Sequence, residues 1–221
     1  MNLPDHLLPE AWYWGGHIVF ALVLAWALLT APWPRLKDNL QQNVWLGTCV
    51  ALMALWSIKT GIRPGLNFHL LGATLTALMF RAQFAILAAA IATAAVTLAA
   101  GEGWHSFSLN ALTMGALPVL LSYGIYRLID SKLPNHIFIY IFANAFLGAA
   151  LAMAATGLFS TLTLSLSGAY TLEYLKAHYL PYYILLGWSE AISTGMAITL
   201  MVIYRPEWVA TFDDKRYLNG K

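Results

Sequence analysis

Charged side chains are scarce in this chain of 221 residues, since Asp, Glu, Lys and Arg together make up only 10% of it. Soluble domains carry about 25% charged residues, so the composition excludes an ordinary soluble domain. The net charge of +2 is too small to indicate a nucleic-acid partner. With 60% hydrophobic residues, the chain has the composition of a protein embedded in membrane lipid.

Cysteine is almost absent as well. Cys49 is the single cysteine and lies in an apolar run, which excludes both a disulfide framework and a cysteine-based metal site. The opening residues 1–6 lack the basic region of a cleavable signal peptide, so we expect none. The sequence also lacks a Gly-x-x-x-x-Gly-Lys-Ser/Thr phosphate-binding loop. We therefore expect a protein that does not hydrolyse ATP, is not an enzyme and has no organic cofactor.

Long apolar runs, by contrast, are abundant. A helix needs about 20 mostly apolar residues to cross the roughly 30 Å of bilayer hydrocarbon. Six runs reach about that length, at residues 15–33, 44–62, 82–100, 109–129, 137–159 and 182–204. A seventh run, residues 67–80, is shorter, and we interpret it as a short span rather than a re-entrant segment.

Seven crossings divide the basic residues into two unequal groups. Nine of them fall on one side, namely Arg35, Lys37, Arg81, Arg127, Lys132, Arg205, Lys215, Arg216 and Lys221. Three fall on the other, namely Lys59, Arg63 and Lys176. Because basic residues concentrate on the cytoplasmic side, the sequence predicts an all-α, seven-helix transmembrane bundle with its N-terminus outside and its C-terminus cytoplasmic. We expect one domain over residues 1–221, with an extracytoplasmic segment at 1–14 and a cytoplasmic tail at 205–221.

Five of the six histidines fall on the predicted outer side. They are His6, His17, His69, His105 and His178, and only His136 lies opposite. Imidazole is the commonest transition-metal ligand in proteins, and nothing resembles the all-oxygen cage of a calcium or magnesium site. The pattern indicates capture of a divalent transition metal, with His69, His6, His17 and His105 as candidate ligands. We assign His178 to an aromatic belt and His136 to a loop.

Three polar residues near or within the spans are candidates to support these ligands. Asn67 lies in the loop before His69, and Asn110 enters the fifth span, where its amide can complete a metal shell or orient a histidine. Glu190 lies several residues inside the last span, where an ionisable group is costly and indicates function by default. For Glu190 we favour a structural role, with Asn110 or Asn144 as its partner.

An ordered series of short motifs runs along most of the chain, from residue 3 to about 206. It comprises residues 69–73 (HLLGA), 101–103 (GEG), 110–114 (NALTM), Pro118, 124–127 (GIYR), Glu190, Gly195 and 205–206 (RP). The series resembles the membrane-embedded substrate-capture component of cobalt/nickel energy-coupling-factor ABC transporters, the "M" type of cobalt permease. That family has a seven-helix bundle with an extracellular N-terminus, which agrees with the topology above.

The resemblance implies capture of Co²⁺ or Ni²⁺, with Zn²⁺ as a further candidate, at the outer face of a bacterial inner membrane. In the family, the N-terminal amine, a histidine at position 2 and a histidine in the loop before the third helix form a nitrogen site. Here His69 matches the loop histidine and Met1 would supply the amine, but position 2 is Asn2. His6 is the proposed substitute. Residues 81–83 (RAQ) depart from the family's Gly-Pro-type turn.

The family also implies partners, namely an energy-coupling transmembrane protein and ABC-type ATPase subunits, besides membrane lipid. Two alternatives stay open at this point: a membrane redox or haem-binding protein, and a metal uptake protein that acts without ATPase partners. The first is disfavoured because the histidines lie at helix ends, whereas haem needs an axial ligand inside the bundle. An intramembrane hydrolase is disfavoured too, since no serine lies in a Gly-x-Ser-x-Gly turn.

Overall fold

The computed structural model describes residues 2–101 and 103–218, most of which are helical. Within these residues, the helices are α1 Glu10–Thr30, α2 Asn39–Ser57, α3 Ala73–Ala100, α4 Phe107–Lys132, α5 Ile137–Leu166, α6 Leu172–His178, α7 Leu180–Tyr204 and α8 Asp214–Tyr217. Two short strands, β1 Thr60–Gly61 and β2 Asn67–Phe68, pair in antiparallel fashion between α2 and α3. Single 3₁₀ turns follow α1, at Trp33–Lys37, and α7, at Pro206–Trp208.

Helix starts follow local signals in the sequence. The carboxylate of Asp38 accepts the N–H of Leu40 at 2.9 Å and caps α2, and the hydroxyl of Thr171 accepts the N–H of Tyr174 at 3.3 Å and caps α6. These bonds satisfy backbone donors that the first helical turn leaves free. Helices α4 and α5 each contain a wide π-helical segment, Ala111–Ala116 and Tyr140–Leu147 respectively.

Helix α3 is broken at Arg81, where φ is 62° and ψ is 177°. This combination of angles is nearly restricted to glycine. The carbonyl groups of Leu78 and Met79, just before the break, accept the N–H groups of Thr211 at 3.3 Å and Ala210 at 2.9 Å. The segment after α7 therefore satisfies the backbone acceptors that the break exposes.

In the part of the chain that the structure describes, five helices are long and apolar enough to cross a membrane: α1, α3, α4, α5 and α7. The predicted multi-pass membrane fold is confirmed in its coarse form: the chain is mostly helical, with one two-stranded sheet. The short span predicted at residues 67–80 begins later than expected, because its helix starts only at Ala73, and the break at Arg81 separates it from the predicted span 82–100. The first helix also begins earlier than predicted, at Glu10.

Helix α3 lies at the centre of the bundle, where it packs against α1, α2, α4 and α5. Its alanines Ala85, Ala88 and Ala92 are fully buried, and such small side chains let membrane helices approach closely. The outward faces of other helices carry large apolar side chains, such as Leu29 of α1 at 84% exposed and Ile184 of α7 at 79% exposed. These faces suit contact with lipid rather than water.

The two ends of the bundle are joined by different loops. At the end that we call the top, the N-terminal segment 2–9 meets the loops 58–72 and 103–106, through bonds such as Asn67 Nδ2 to the Asn2 carbonyl at 3.1 Å and the Ser106 hydroxyl to the Leu3 carbonyl at 2.7 Å. The loop 167–171 joins the same end, where Tyr170 Oη donates to the Pro64 carbonyl at 2.8 Å. At the opposite end, the base, Gln41 Nε2 donates to the Glu207 carbonyl at 2.8 Å. The candidate ligands His6, His69 and His105 all lie in top segments.

Candidate metal-binding site

His69 lies directly after β2, in the extended segment that leads into α3, and is only 7% exposed. Its Nδ1 lies 2.9 Å from the carbonyl oxygen of Leu70. Its Nε2 lies 3.2 Å from Sδ of Met114 in α4, and the ring of Trp56 is 5.9 Å away between centroids. The sequence favours His69 most strongly among the candidate ligands. In the structure its side chain is buried, and each ring nitrogen has one close contact.

The segment that carries His69 is held by two side chains from other helices. Both carboxyl oxygens of Glu190, in α7, accept backbone N–H groups: Oε2 from Leu71 at 2.9 Å and Oε1 from Gly72 at 2.7 Å. Trp56 of α2 donates its indole N–H to the Leu71 carbonyl at 3.1 Å. The structural partners of Glu190 are thus backbone amides, and the predicted partnership with Asn110 or Asn144 is wrong.

Gly72 allows the turn into α3. Its φ of 65° is positive, a conformation that glycine adopts at little cost and other residues rarely adopt. A negatively charged group at a helix N-terminus is favourable because the helix dipole is positive there. Glu190 therefore stabilises both the turn and the start of α3.

Asn110 binds the N-terminal segment. Its Oδ1 accepts the N–H of Leu3 at 2.7 Å and its Nδ2 donates to the Leu3 carbonyl at 3.0 Å, in the manner of a strand pair. The Ser106 hydroxyl donates to the same carbonyl at 2.7 Å. Leu3 is 1% exposed and Asn110 is also 1% exposed. The predicted supporting role of Asn110 is thus directed at the backbone of the N-terminal segment rather than at a histidine.

Asn67 joins this segment to the loop of His69. Its Nδ2 donates to the Asn2 carbonyl at 3.1 Å, and Asn67 itself lies two residues before His69 in β2. The N-terminal segment is therefore fixed at both Asn2 and Leu3, directly beside the loop that delivers His69. The predicted site required the rings of His6 and His69 to converge; the segments lie side by side, but the His69 ring contacts Met114 and Trp56, whereas the His6 ring stacks on His105.

Three other histidines of the top form a separate group. His6, His17 and His105 have ring centroids 6.2 Å apart (His6 to His105) and 6.0 Å apart (His17 to His105). Nε2 of His105 lies 3.2 Å from the carboxylate of Glu10, and Nδ1 of His17 lies 2.8 Å from the Ser108 hydroxyl. His6 is exposed and has a φ of 66°.

Asp5 fixes the N-terminal segment next to this histidine group. Its carboxylate accepts the N–H of Ser106 at 2.8 Å and that of Gly103 at 3.1 Å. Partial burial alone raises the pKa of Asp5, but these hydrogen bonds outweigh it and hold the pKa below its usual value. Asp5 is therefore a structural carboxylate, ionised at neutral pH.

Not all of the predicted ligands come together. Among residues 2–101 and 103–218, no group of three His, Cys, Asp or Glu side chains is placed to hold an ion. His69 contacts Trp56 and Met114, whereas His6 stacks on His105. Met1 and Glu102 lie outside the described residues, so the proposed amine ligand stays a prediction. His178 packs on Tyr174, 4.8 Å between ring centroids, and His136 caps α5 by accepting the N–H of Phe138 at 3.1 Å.

Sequence reasoning missed two residues around His69. Met114 belongs to the NALTM motif, but a methionine in an apolar run carries no signal that separates it from core packing. Trp56 was counted only as part of a span. Both lie on helices other than α3, Trp56 on α2 and Met114 on α4, and the fold brings them to the ring.

Three comparisons relate the chain to other proteins. The model of a family described as CbiM, cobalt uptake substrate-specific transmembrane region, matches residues 2–208. A crystal structure of a truncated transition metal transporter has a TM-score of 0.74 and 20% identity, covering 92% of this chain and 99% of its own. A crystal structure of a transition metal transporter has a TM-score of 0.75 and 21% identity, covering 92% of this chain and 93% of its own. At these identities the two structures show a shared fold. No curated protein matches the chain by sequence.

Proposed function

The chain belongs to the family described as CbiM, cobalt uptake substrate-specific transmembrane region, and from that premise we propose that it captures a divalent ion of the cobalt/nickel type at its outer face. His69 is the first ligand in this proposal. The observation that carries it is the buried Nε2 of His69, which lies beside Met114 in a segment fixed by Glu190 and Trp56. A ligand held in this way needs little ordering when the ion binds.

The topology that we propose has seven crossings, with the top of the bundle outside and the base in the cytoplasm. Two contacts of the segment between residues 65 and 81 support this. Gly65 lies against Leu3 and Leu7 of the top, whereas Leu78 and Met79 are hydrogen-bonded to the segment after α7 at the base. The two arms of α3 then count as two crossings. We assign the larger group of basic residues, as far as the structure describes them, to the base, as expected for a bacterial inner-membrane protein.

The Met1 amine is the remaining ligand proposed for the ion at His69, whereas the rings of His6 and His17 belong to the separate group around His105. His6, His17 and His105 line the top next to the N-terminal segment, where they favour an encounter with an incoming cation. Asn67 and Asn110 hold the segment that carries Met1. The ion is the transported substrate, and the chain performs no chemistry on it.

Release to the cytoplasm is proposed to require an energy-coupling transmembrane protein and ABC-type ATPase subunits. The small residues Ala21 and Ala25 of α1 are exposed among apolar neighbours, which makes this face a candidate for docking such a partner. Ala88 and Ala92 of α3 are fully buried inside the bundle, so they serve internal packing instead.

A titration of the detergent-solubilised protein with Ni²⁺, Co²⁺, Zn²⁺ and Cu²⁺ tests the capture site. We expect His69→Ala to lose affinity for the preferred ion, and the matched control His178→Ala to keep it, because His178 is an exposed histidine of the same end. Equal affinity in the wild type and in His69→Ala would remove the site.

Uptake of the ion into cells that express the chain, with and without coupling and ATPase subunits, tests the partnership. We expect uptake above background only when the subunits are present. Uptake at the same rate without them would favour a transporter that acts alone.

A further inference from the structure

We propose that the thioether of Met114 is a metal ligand, which binds the captured ion together with Nε2 of His69. This inference deepens the proposed function and rests on it. Met114 lies in the π-helical segment of α4, is 3% exposed, and places Sδ 3.2 Å from that nitrogen. Wide helical turns of this kind often occur at functional sites.

The position of the proton on the His69 ring is consistent with a metal ion bound between Nε2 and Sδ of Met114. A carbonyl oxygen only accepts, so the 2.9 Å contact between Nδ1 and the Leu70 carbonyl requires Nδ1 to carry the proton. In the neutral ring, Nε2 then presents a lone pair, and a thioether sulfur has no proton to donate to it. Nε2 of His69 and Sδ of Met114 are thus two buried acceptors that face each other. A second proton on the ring would let Nε2 donate to the sulfur, but burial disfavours the charged ring.

The separation of the two atoms fits donors of one ion. A nitrogen and a sulfur about 2.1 Å and 2.3 Å from the same metal lie about 3.1 Å apart at a 90° angle and about 3.6 Å apart at a tetrahedral angle. The observed 3.2 Å corresponds to the smaller angle. Square-planar and octahedral ions use that angle, whereas zinc in protein sites is mostly tetrahedral.

This geometry also indicates which class of metal ion the site prefers. A thioether is a soft ligand, and imidazole suits nickel, copper and other borderline ions. A neutral nitrogen and a neutral sulfur at about 90° favour Ni²⁺ over Zn²⁺, and they bind the hard ions Mg²⁺ and Mn²⁺ poorly. Met114 therefore contributes to selectivity as well as affinity.

The backbone around Met114 is fixed by close packing. A Cβ added to the adjacent Gly115 would lie 2.7 Å from Cβ of Ala89 in α3, so α3 and α4 are in direct contact here. His69 is held from α7 by Glu190, through the amides of Leu71 and Gly72. Both proposed donors are thus preorganised before an ion arrives.

The experiment combines metal titration with X-ray absorption of the Ni²⁺-loaded, full-length protein. The variants are Met114→Leu, which conserves volume and removes the sulfur, the matched control Met153→Leu in α5, where the methionine is 1% exposed, and His69→Ala. We expect a sulfur neighbour about 2.3 Å from nickel in the wild type and in Met153→Leu. In Met114→Leu that sulfur neighbour should be absent. Its affinity for Ni²⁺ should be about tenfold or more lower than that of the wild type, and its preference for Ni²⁺ over Zn²⁺ should be smaller.

Each other outcome is decisive in a different way. If His69→Ala loses affinity while Met114→Leu keeps the wild-type affinity, the proposed function stands and the thioether ligand is overturned. If Met114→Leu loses affinity but the wild-type spectrum contains no sulfur neighbour, Met114 only packs against His69, and the inference is overturned as well. If His69→Ala binds like the wild type, the proposed function itself fails. A thermal unfolding scan of each variant verifies that it is folded.

Discussion

Glu190 is predicted to hold the metal-binding segment in place from the far side of the bundle. Glu190→Gln keeps the shape of the side chain, but its amide N–H₂ replaces one of the two oxygens that accept the N–H groups of Leu71 and Gly72. One of these buried donors then faces another donor. The loss of a hydrogen bond to a charged group and the burial of an unsatisfied N–H each destabilise by about 1–3 kcal/mol.

Part of this loss is offset, because the neutral amide is easier to bury than a carboxylate. We therefore expect Glu190→Gln to reduce the free energy of unfolding by about 2 kcal/mol, and Glu190→Ala to reduce it further because both donors lose their acceptor. As the segment between Gly72 and His69 loosens, affinity for the ion should fall about tenfold, the range seen when groups that orient a metal ligand are removed.

The assay is thermal unfolding in detergent together with an Ni²⁺ titration. Glu173→Gln is the matched control, since Glu173 lies exposed in the first turn of α6. Wild-type stability and wild-type affinity in Glu190→Gln would refute the argument that this carboxylate positions His69. A loss of stability without any loss of affinity would restrict Glu190 to a structural role.

Three further changes test the account. Asn110→Leu removes both bonds to the backbone of Leu3, so we expect about 2 kcal/mol lower stability and faster protease cleavage of the N-terminal segment; unaltered cleavage would contradict this. Arg81→Gly relieves a positive φ and should raise stability by about 1 kcal/mol, visible as a higher midpoint of thermal unfolding. Because the pKa of Asp5 is lowered in the folded chain, its contribution is present above about pH 4 and is lost as the pH falls through the lowered pKa. Asp5→Asn should mimic that loss at neutral pH, and the measurement is faster hydrogen exchange at the backbone N–H of Ser106.

The helical membrane fold was predictable because it depends on composition and on the length of apolar runs, both of which are local properties of the sequence. The break at Arg81 lies between the predicted runs 67–80 and 82–100, but the contacts that stabilise it were not predictable. Ala210 and Thr211, more than a hundred residues away, donate hydrogen bonds to the backbone just before the break. Such contacts leave no periodic signal in the sequence.

The motif-based resemblance to the cobalt/nickel uptake family is confirmed by the family match over residues 2–208. His69 was selected as a candidate ligand because it belongs to a motif, and its role as a ligand stays a prediction. The partners of Glu190 and Asn110 were not, since both side chains bind backbone groups of distant segments. Backbone donors and acceptors are the same at every residue, so the sequence does not single out which of them a polar side chain will bind.

The grouping of His6 with His105 and His17 follows from the same limitation. Loop residues on one side of a bundle share a surface, but the sequence does not determine which of their rings meet. The bond between Asn67 and Asn2 brings the N-terminal backbone to the loop of His69, whereas the ring of His6 turns toward His105.

The central claim, that His69 binds the captured ion, is tested most directly by anomalous X-ray diffraction from crystals of the Ni²⁺-loaded protein. The account predicts a single strong peak about 2.1 Å from Nε2 of His69, on the side of that ring that faces Met114. A peak among His6, His17 and His105 with the His69 ring free of metal would contradict it.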